Sequence, residues 1–117
     1  MSKPSLISAD SHVVEAPDIW TARMPAKFKD RAPRQERMEQ GDAWVFPDTP
    51  PFPFGLVQCG GLPPEEYKLW IRWEDVRPEA HDQQARIAGQ DKAGVQAEIM
   101  YPSPRIAIAL HAQDKDR

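Results

Sequence analysis

Six prolines fall between Pro47 and Pro64, and a run of that kind can be neither helix nor interior strand. Proline fixes φ and carries no backbone N–H, so it removes a hydrogen bond from any helix or ladder it enters. The segment from Pro47 to Gly55, continued by Cys59-Gly-Gly-Leu-Pro-Pro64, must therefore be a loop, and it divides the chain. Proline is abundant elsewhere too, at thirteen of 117 residues against a usual share of about 5%. The loop also carries Phe52, Phe54 and Leu56, which a solvated linker would not need. Long loops inside compact domains are functional or disordered. This one is expected either to pack its aromatics over something, as a lid does, or to lie on the surface awaiting a partner.

The elements on either side follow from periodicity and punctuation. Leu6 to Val14 reads as a first strand, about 6–14, with Ile7, Ala9 and Val13 on one face and Ser8, Asp10 and His12 on the other. Pro17 to Met24 reads as a short helix, with proline tolerated in its first turn and Pro25 ending it. A β-hairpin is expected over about 34–46, from Arg34 to Met38 and Ala43 to Phe46, with Gly41 in its turn. The Pro-rich loop occupies 47–64, and a helical turn is expected from Pro64 to Trp70. The longest helix is predicted at about 78–93, stopped by Gly94, and a second strand at 95–101, ended by Pro102. Helix, glycine, strand is the later half of a βαβ unit. Ile106 to Ala112 would begin another helix, and no internal repeat is visible.

Composition narrows the class. The length is one domain or less, and 40% hydrophobic with 28% charged residues suits a soluble globular protein. A net charge of −3 argues against a nucleic-acid groove or an anionic membrane surface as the main partner. No apolar stretch approaches the roughly 18 residues of a membrane span. The opening Met1-Ser-Lys-Pro-Ser5 has no apolar core of a secretory signal. A lone Cys59 cannot form an internal disulfide, so a cytoplasmic setting is expected.

The chemistry begins at Asp10-Ser11-His12. Residues two apart on a strand point the same way, so this spacing offers a carboxylate oxygen and an imidazole nitrogen to one divalent metal. Polar residues near the carboxyl end of a strand are also how a barrel active site reads from sequence.

Three segments carry a resemblance: Ile7-Ser-Ala-Asp-Ser-His-Val-Val-Glu15, Pro17-Asp-Ile-Trp20, and Ala88-Gly-Gln-Asp-Lys-Ala-Gly-Val-Gln-Ala-Glu-Ile-Met-Tyr-Pro102. Together they resemble the amidohydrolase-related metal-dependent hydrolases, the branch that also holds aminocarboxymuconate-semialdehyde-type and resorcylate-type decarboxylases. The likeness runs from about Leu6 to Pro102, which corresponds to the first third or so of a family member. It implies an α/β fold: the N-terminal portion of a (β/α)₈ TIM barrel, with the hairpin and the Pro-rich loop inserted between its first two barrel strands. It also implies a mononuclear metal site at the carboxyl ends of the strands. Many relatives end the first strand in a His-x-His ligand pair, and Asp10 and His12 stand at those two positions here. Both residue types bind Zn²⁺ at about 2.0 to 2.2 Å, and the mixed set also suits Mn²⁺ or Fe²⁺. Glu15 would then be either a partner that orients His12 or an exposed loop acid.

Family members take further histidines and a catalytic aspartate from later strands. His81, on the expected outer helix, and His111, in the tail, match no such position and read as ordinary surface or boundary residues. Two ligands do not complete a catalytic zinc site, which needs three protein ligands and a water, and a barrel needs about 250 residues. The expectation is thus the N-terminal part of a longer metal-dependent hydrolase or decarboxylase acting on a small molecule. Such a piece would be inactive alone and hold no metal tightly. The alternative is a non-catalytic module that pairs its exposed strands with a partner or with a second copy. Trp20, Trp44, Trp70 and Trp73 read as core or interface aromatics. The mixed-sign cluster Lys27 to Arg34 reads as solvated surface.

Overall fold

The computed structural model describes residues 5–47, 49–104 and 106. It is a mixed α/β chain with two small sheets. Strand β1, Leu6–His12, is followed by helix α1, Ile19–Arg23. Strands β2, Arg34–Arg37, and β3, Asp42–Val45, form the hairpin expected over 34–46. Helix α2, Gln83–Ala93, leads through Gly94 into strand β5, Val95–Tyr101. Strand β4, Phe52–Pro53, lies between the hairpin and that helix.

β1 and β5 pair in parallel, as a βαβ unit requires, with α2 as the crossover helix. Among the described residues the two sheets do not close into a barrel. Strand β1 ends at His12, two residues short of the expected boundary, because Val14 leaves the ladder. Val14 is buried in the core, and its N–H donates to the Ala80 carbonyl at 3.0 Å.

The Pro-rich loop departs from expectation in one place. Phe52 and Pro53 pair with Trp44 and Ala43, adding β4 to the edge of the hairpin sheet. Proline is admissible there because an edge strand has one side with no ladder to interrupt. Around it the chain makes short 3₁₀ turns at Gly55–Gln58 and Pro64–Glu66.

The expected helix over 78–93 divides in two. Pro78–Ala80 is a 3₁₀ turn, and α2 starts only after Asp82, whose extended backbone and side-chain bond to the Ala85 N–H cap it. His81 therefore sits in the turn before the helix, exposed, with its ring 4.8 Å from that of Trp73. At the other end Gly94 takes a left-handed φ of 73°, which closes the helix without a Cβ penalty. The expected helix from Ile106 and the residue His111 lie outside the described residues, except for Ile106 itself.

The core lies under the hairpin sheet. Trp44 and Phe54 are almost fully enclosed, with Val14, Phe46, Ile71, Val76, Ala80 and Ile106 around them. Each large side chain buried this way contributes about 2 to 3 kcal/mol. Phe54 is thus the loop aromatic that packs inward, whereas Leu56 stays exposed. Trp20 and Trp73 pack against the rim of the core. The β1–β5 sheet is the opposite case, since Leu6, Ile7, Ile99 and Met100 are each at least half exposed. Among the described residues no helix is long and apolar enough to cross a membrane.

Candidate metal centre

The carboxyl end of β1 carries an irregularity that shapes the site. Ser8 faces Glu98 and Ser11 faces Met100, so three steps along β1 match two along β5. Such a bulge re-aims side chains. Here it brings the Ser8 and Ser11 hydroxyls within 2.7 Å of each other. The simple alternation that grouped Ser8 with Asp10 and His12 is broken by that extra residue.

Asp10 and His12 nonetheless meet. Asp10 Oδ1 lies 3.1 Å from His12 Nε2, with the carboxylate largely exposed and the imidazole about two-thirds covered. The other ring nitrogen, Nδ1, lies 2.8 Å from the Pro102 carbonyl oxygen. A carbonyl only accepts, so Nδ1–H donates to it. Nε2 is left facing the carboxylate. A proton on Nε2 or a metal cation between the two would hold the ring and the carboxylate together at this separation.

The spacing suits that role. Two donors about 2.0 to 2.2 Å from one tetrahedral metal stand about 3.3 Å or slightly more apart, and octahedral ligands stand nearer 3 Å. Metal-binding histidines also commonly donate their second ring N–H to a carbonyl, as Nδ1 does here. The pair fits two positions of a coordination sphere. Among the described residues no cluster of three or more His, Cys, Asp or Glu side chains could hold a metal, so Asp10 and His12 have no third ligand beside them.

Glu15 is buried rather than an exposed loop acid. Its Oε1 accepts the Ser103 N–H at 2.7 Å, while Oε2 finds no partner among the described residues. It makes no direct bond to His12. His81 lies apart from the pair, in the turn against Trp73. Cys59 is buried, and its Sγ–H donates to the Gly55 carbonyl.

Two residues that the sequence did not single out hold the site from behind. Arg86 on α2 donates from Nε to Glu98 Oε2 on β5 at 2.7 Å. Its Nη1 reaches the carbonyls of Glu79, at 3.1 Å, and His12, at 3.3 Å. Burial pushes the Glu98 carboxyl upward. Hydrogen bonds from Arg86, Gln90 and Ser11 and the charge of Arg86 outweigh it, and hold the group below its ordinary value. An open cleft of about 810 Å³ borders the pair, with Leu56 and Val57 of the Pro-rich segment and the cationic side chains of Arg77 and Arg86 in its wall.

No family model matches the chain, and no curated protein matches it.

Proposed function

We propose that this chain is the first part of a metal-dependent hydrolase or non-oxidative decarboxylase of the amidohydrolase type, built on a (β/α)₈ barrel, with Asp10 and His12 as metal ligands. The observation that carries the reading is the Asp10–His12 pair at the carboxyl end of β1, its donors 3.1 Å apart and its second ring nitrogen held by a carbonyl. The parallel β1–α2–β5 unit supports it, because barrel active sites gather at the carboxyl ends of parallel strands. A small-molecule substrate would enter the cleft beside the pair.

A bound divalent metal would supply Lewis acidity, acidifying a water or polarising a carbonyl. The chain's own residues do the rest. Asp10 offers a carboxylate oxygen, His12 offers Nε2, and the Pro102 carbonyl sets the ring orientation. Arg86 fixes the backbone that carries His12. Further ligands would come from strands beyond the described residues, so Zn²⁺, or Mn²⁺ or Fe²⁺ in its place, should bind this chain weakly.

The test is a Zn²⁺ titration followed by ¹⁵N NMR of the imidazole groups. A saturable shift at His12 Nε2, lost in His12→Gln and weakened in Asp10→Asn, is expected. Shifts spread evenly over the surface carboxylates, or unchanged in His12→Gln, would rule the site out.

A second reading rests on a different observation. Leu6, Ile7, Ile99 and Met100 are exposed on a sheet that, among the described residues, has two strands and no neighbour on either edge, which is a template for another strand. A non-catalytic module that pairs these strands with a partner would show the same surface. A stable dimer that forms without metal and is unaffected by Asp10→Asn would favour it.

A further inference from the structure

We infer that Glu15 is a positioning residue for His12 and acts through a single peptide unit, the one joining Pro102 to Ser103. The Glu15 carboxylate accepts the N–H of that peptide at 2.7 Å. The carbonyl of the same peptide accepts from His12 Nδ1 at 2.8 Å. The C=O and N–H of a trans amide point in opposite directions and share one conjugated system. A negative charge at the N–H end moves electron density toward the oxygen and makes it a stronger acceptor.

The polarised carbonyl favours one tautomer. His12 keeps its proton on Nδ1, and Nε2 keeps its lone pair directed at Asp10, the arrangement a metal ligand requires. Burial makes the coupling effective, because Glu15 is only 8% exposed and water does not screen its charge from the peptide. Among the described residues, the ring's other neighbours do not select this tautomer. Tyr101 lies beside it with ring centroids 5.9 Å apart, and Asp10, as an acceptor, would by itself draw the proton to Nε2. What the lone pair is for depends on the metal reading above, but the relay itself does not.

The experiment uses the full chain, ¹⁵N-labelled and free of metal, at a fixed mildly alkaline pH. Long-range ¹H–¹⁵N correlations report which ring nitrogen of His12 carries the proton. The wild type should show the Nδ1–H form. In Glu15→Gln the amide oxygen can still accept the Ser103 N–H, but without charge. The Nδ1–H to Nε2–H ratio should then fall by about three- to tenfold, as expected when a charge-assisted hydrogen bond becomes a neutral one. Ser103→Ala keeps the peptide N–H and should leave the ratio unchanged. An Nε2–H wild type overturns the proposal even if Glu15→Gln does not fold. So does a folded Glu15→Gln chain with an unaltered ratio. The Zn²⁺ titration is read separately: no shift at His12 Nε2 in a wild type that shows the Nδ1–H form would sink the metal reading and leave the relay standing.

Discussion

Arg86 Nε stands 2.7 Å from Glu98 Oε2, and both side chains are more than four-fifths covered. The same guanidinium bonds the carbonyls of Glu79 and His12. One side chain therefore ties the crossover helix, the second parallel strand, the turn before the helix and the end of the strand that carries the candidate ligands. The β1–β5 sheet buries little apolar surface of its own, so polar bonds carry an unusual share of its cohesion.

Replacing Arg86 with methionine should accordingly be costly. It strands Glu98 under cover and leaves two carbonyls short of a donor. The loss should be about 2 to 3 kcal/mol, in line with hydrogen bonds to charged groups, measured by urea denaturation. The double variant Arg86→Met with Glu98→Leu should recover part of it, because removing both members of a covered pair is milder than removing one. A single-variant loss below about 0.5 kcal/mol, the range of ordinary surface changes, would show that the staple is dispensable.

Glu98 should also leave a signature in acid. Its folded-state value is lowered from 4.5, so the unfolded chain takes up this proton first as the pH drops. The group's contribution to stability is whole above that ordinary value. It is lost progressively below it, and is gone once the folded carboxyl is protonated as well. Glu98→Gln should therefore flatten the dependence of unfolding free energy on pH in that acid window and leave its slope at neutral pH unchanged. Equal acid slopes in the two proteins would contradict the assignment.

How much of this was legible in the sequence depended on whether the governing contact was local. Gly94 and Pro102 marked the ends of α2 and β5 because each acts on its own backbone. The hairpin was legible for the same reason, from the turn around Gly41. The start of α2 was misplaced because Pro78 satisfies a 3₁₀ turn as well as a helix, and only the bond from Asp82 to the Ala85 N–H decides between them. The edge strand Phe52–Pro53 was invisible because its partner, β3, lies several residues away across a proline-rich turn. At the site, the two-residue spacing of Asp10 and His12 announced their meeting. The hold of Glu15 on the Ser103 amide spans 88 positions, and that of Arg86 on the His12 carbonyl spans 74. No short pattern encodes either.

The helix cap offers a simple test of that local rule. Asp82 Oδ1 accepts the Ala85 N–H at 2.8 Å from a residue with extended backbone. Asp82→Ala should destabilise the chain by about 1 kcal/mol, and Asp82→Asn by only a few tenths. Thermal unfolding monitored by circular dichroism would resolve the difference. Equal losses for the two substitutions would mean that charge, and not the cap bond, matters at this position.

Gly55 and Gly60 sit five positions apart in the proline-rich region, and the structure assigns them opposite tolerance. A Cβ on Gly55 would lie 2.2 Å from the Lys68 carbonyl oxygen and 2.6 Å from that of Leu69, both backbone atoms that cannot swing away. The Gly55 N–H donates to the Leu69 carbonyl at 3.1 Å, so the two segments are held at this separation. Phe54, next in the chain, is among the most deeply buried side chains, and any shift of the segment would disturb it. Gly55→Ala should therefore cost about 1 to 3 kcal/mol, the range of overpacking strain. A Cβ on Gly60 would meet nothing within 4 Å, so Gly60→Ala should be neutral or slightly stabilising, by restricting the unfolded chain. Denaturation midpoints of the two variants measured side by side decide the matter. A tolerant Gly55 would mean that the Lys68–Leu69 backbone yields to the added methyl, and that the two segments are not held at the separation the structure shows.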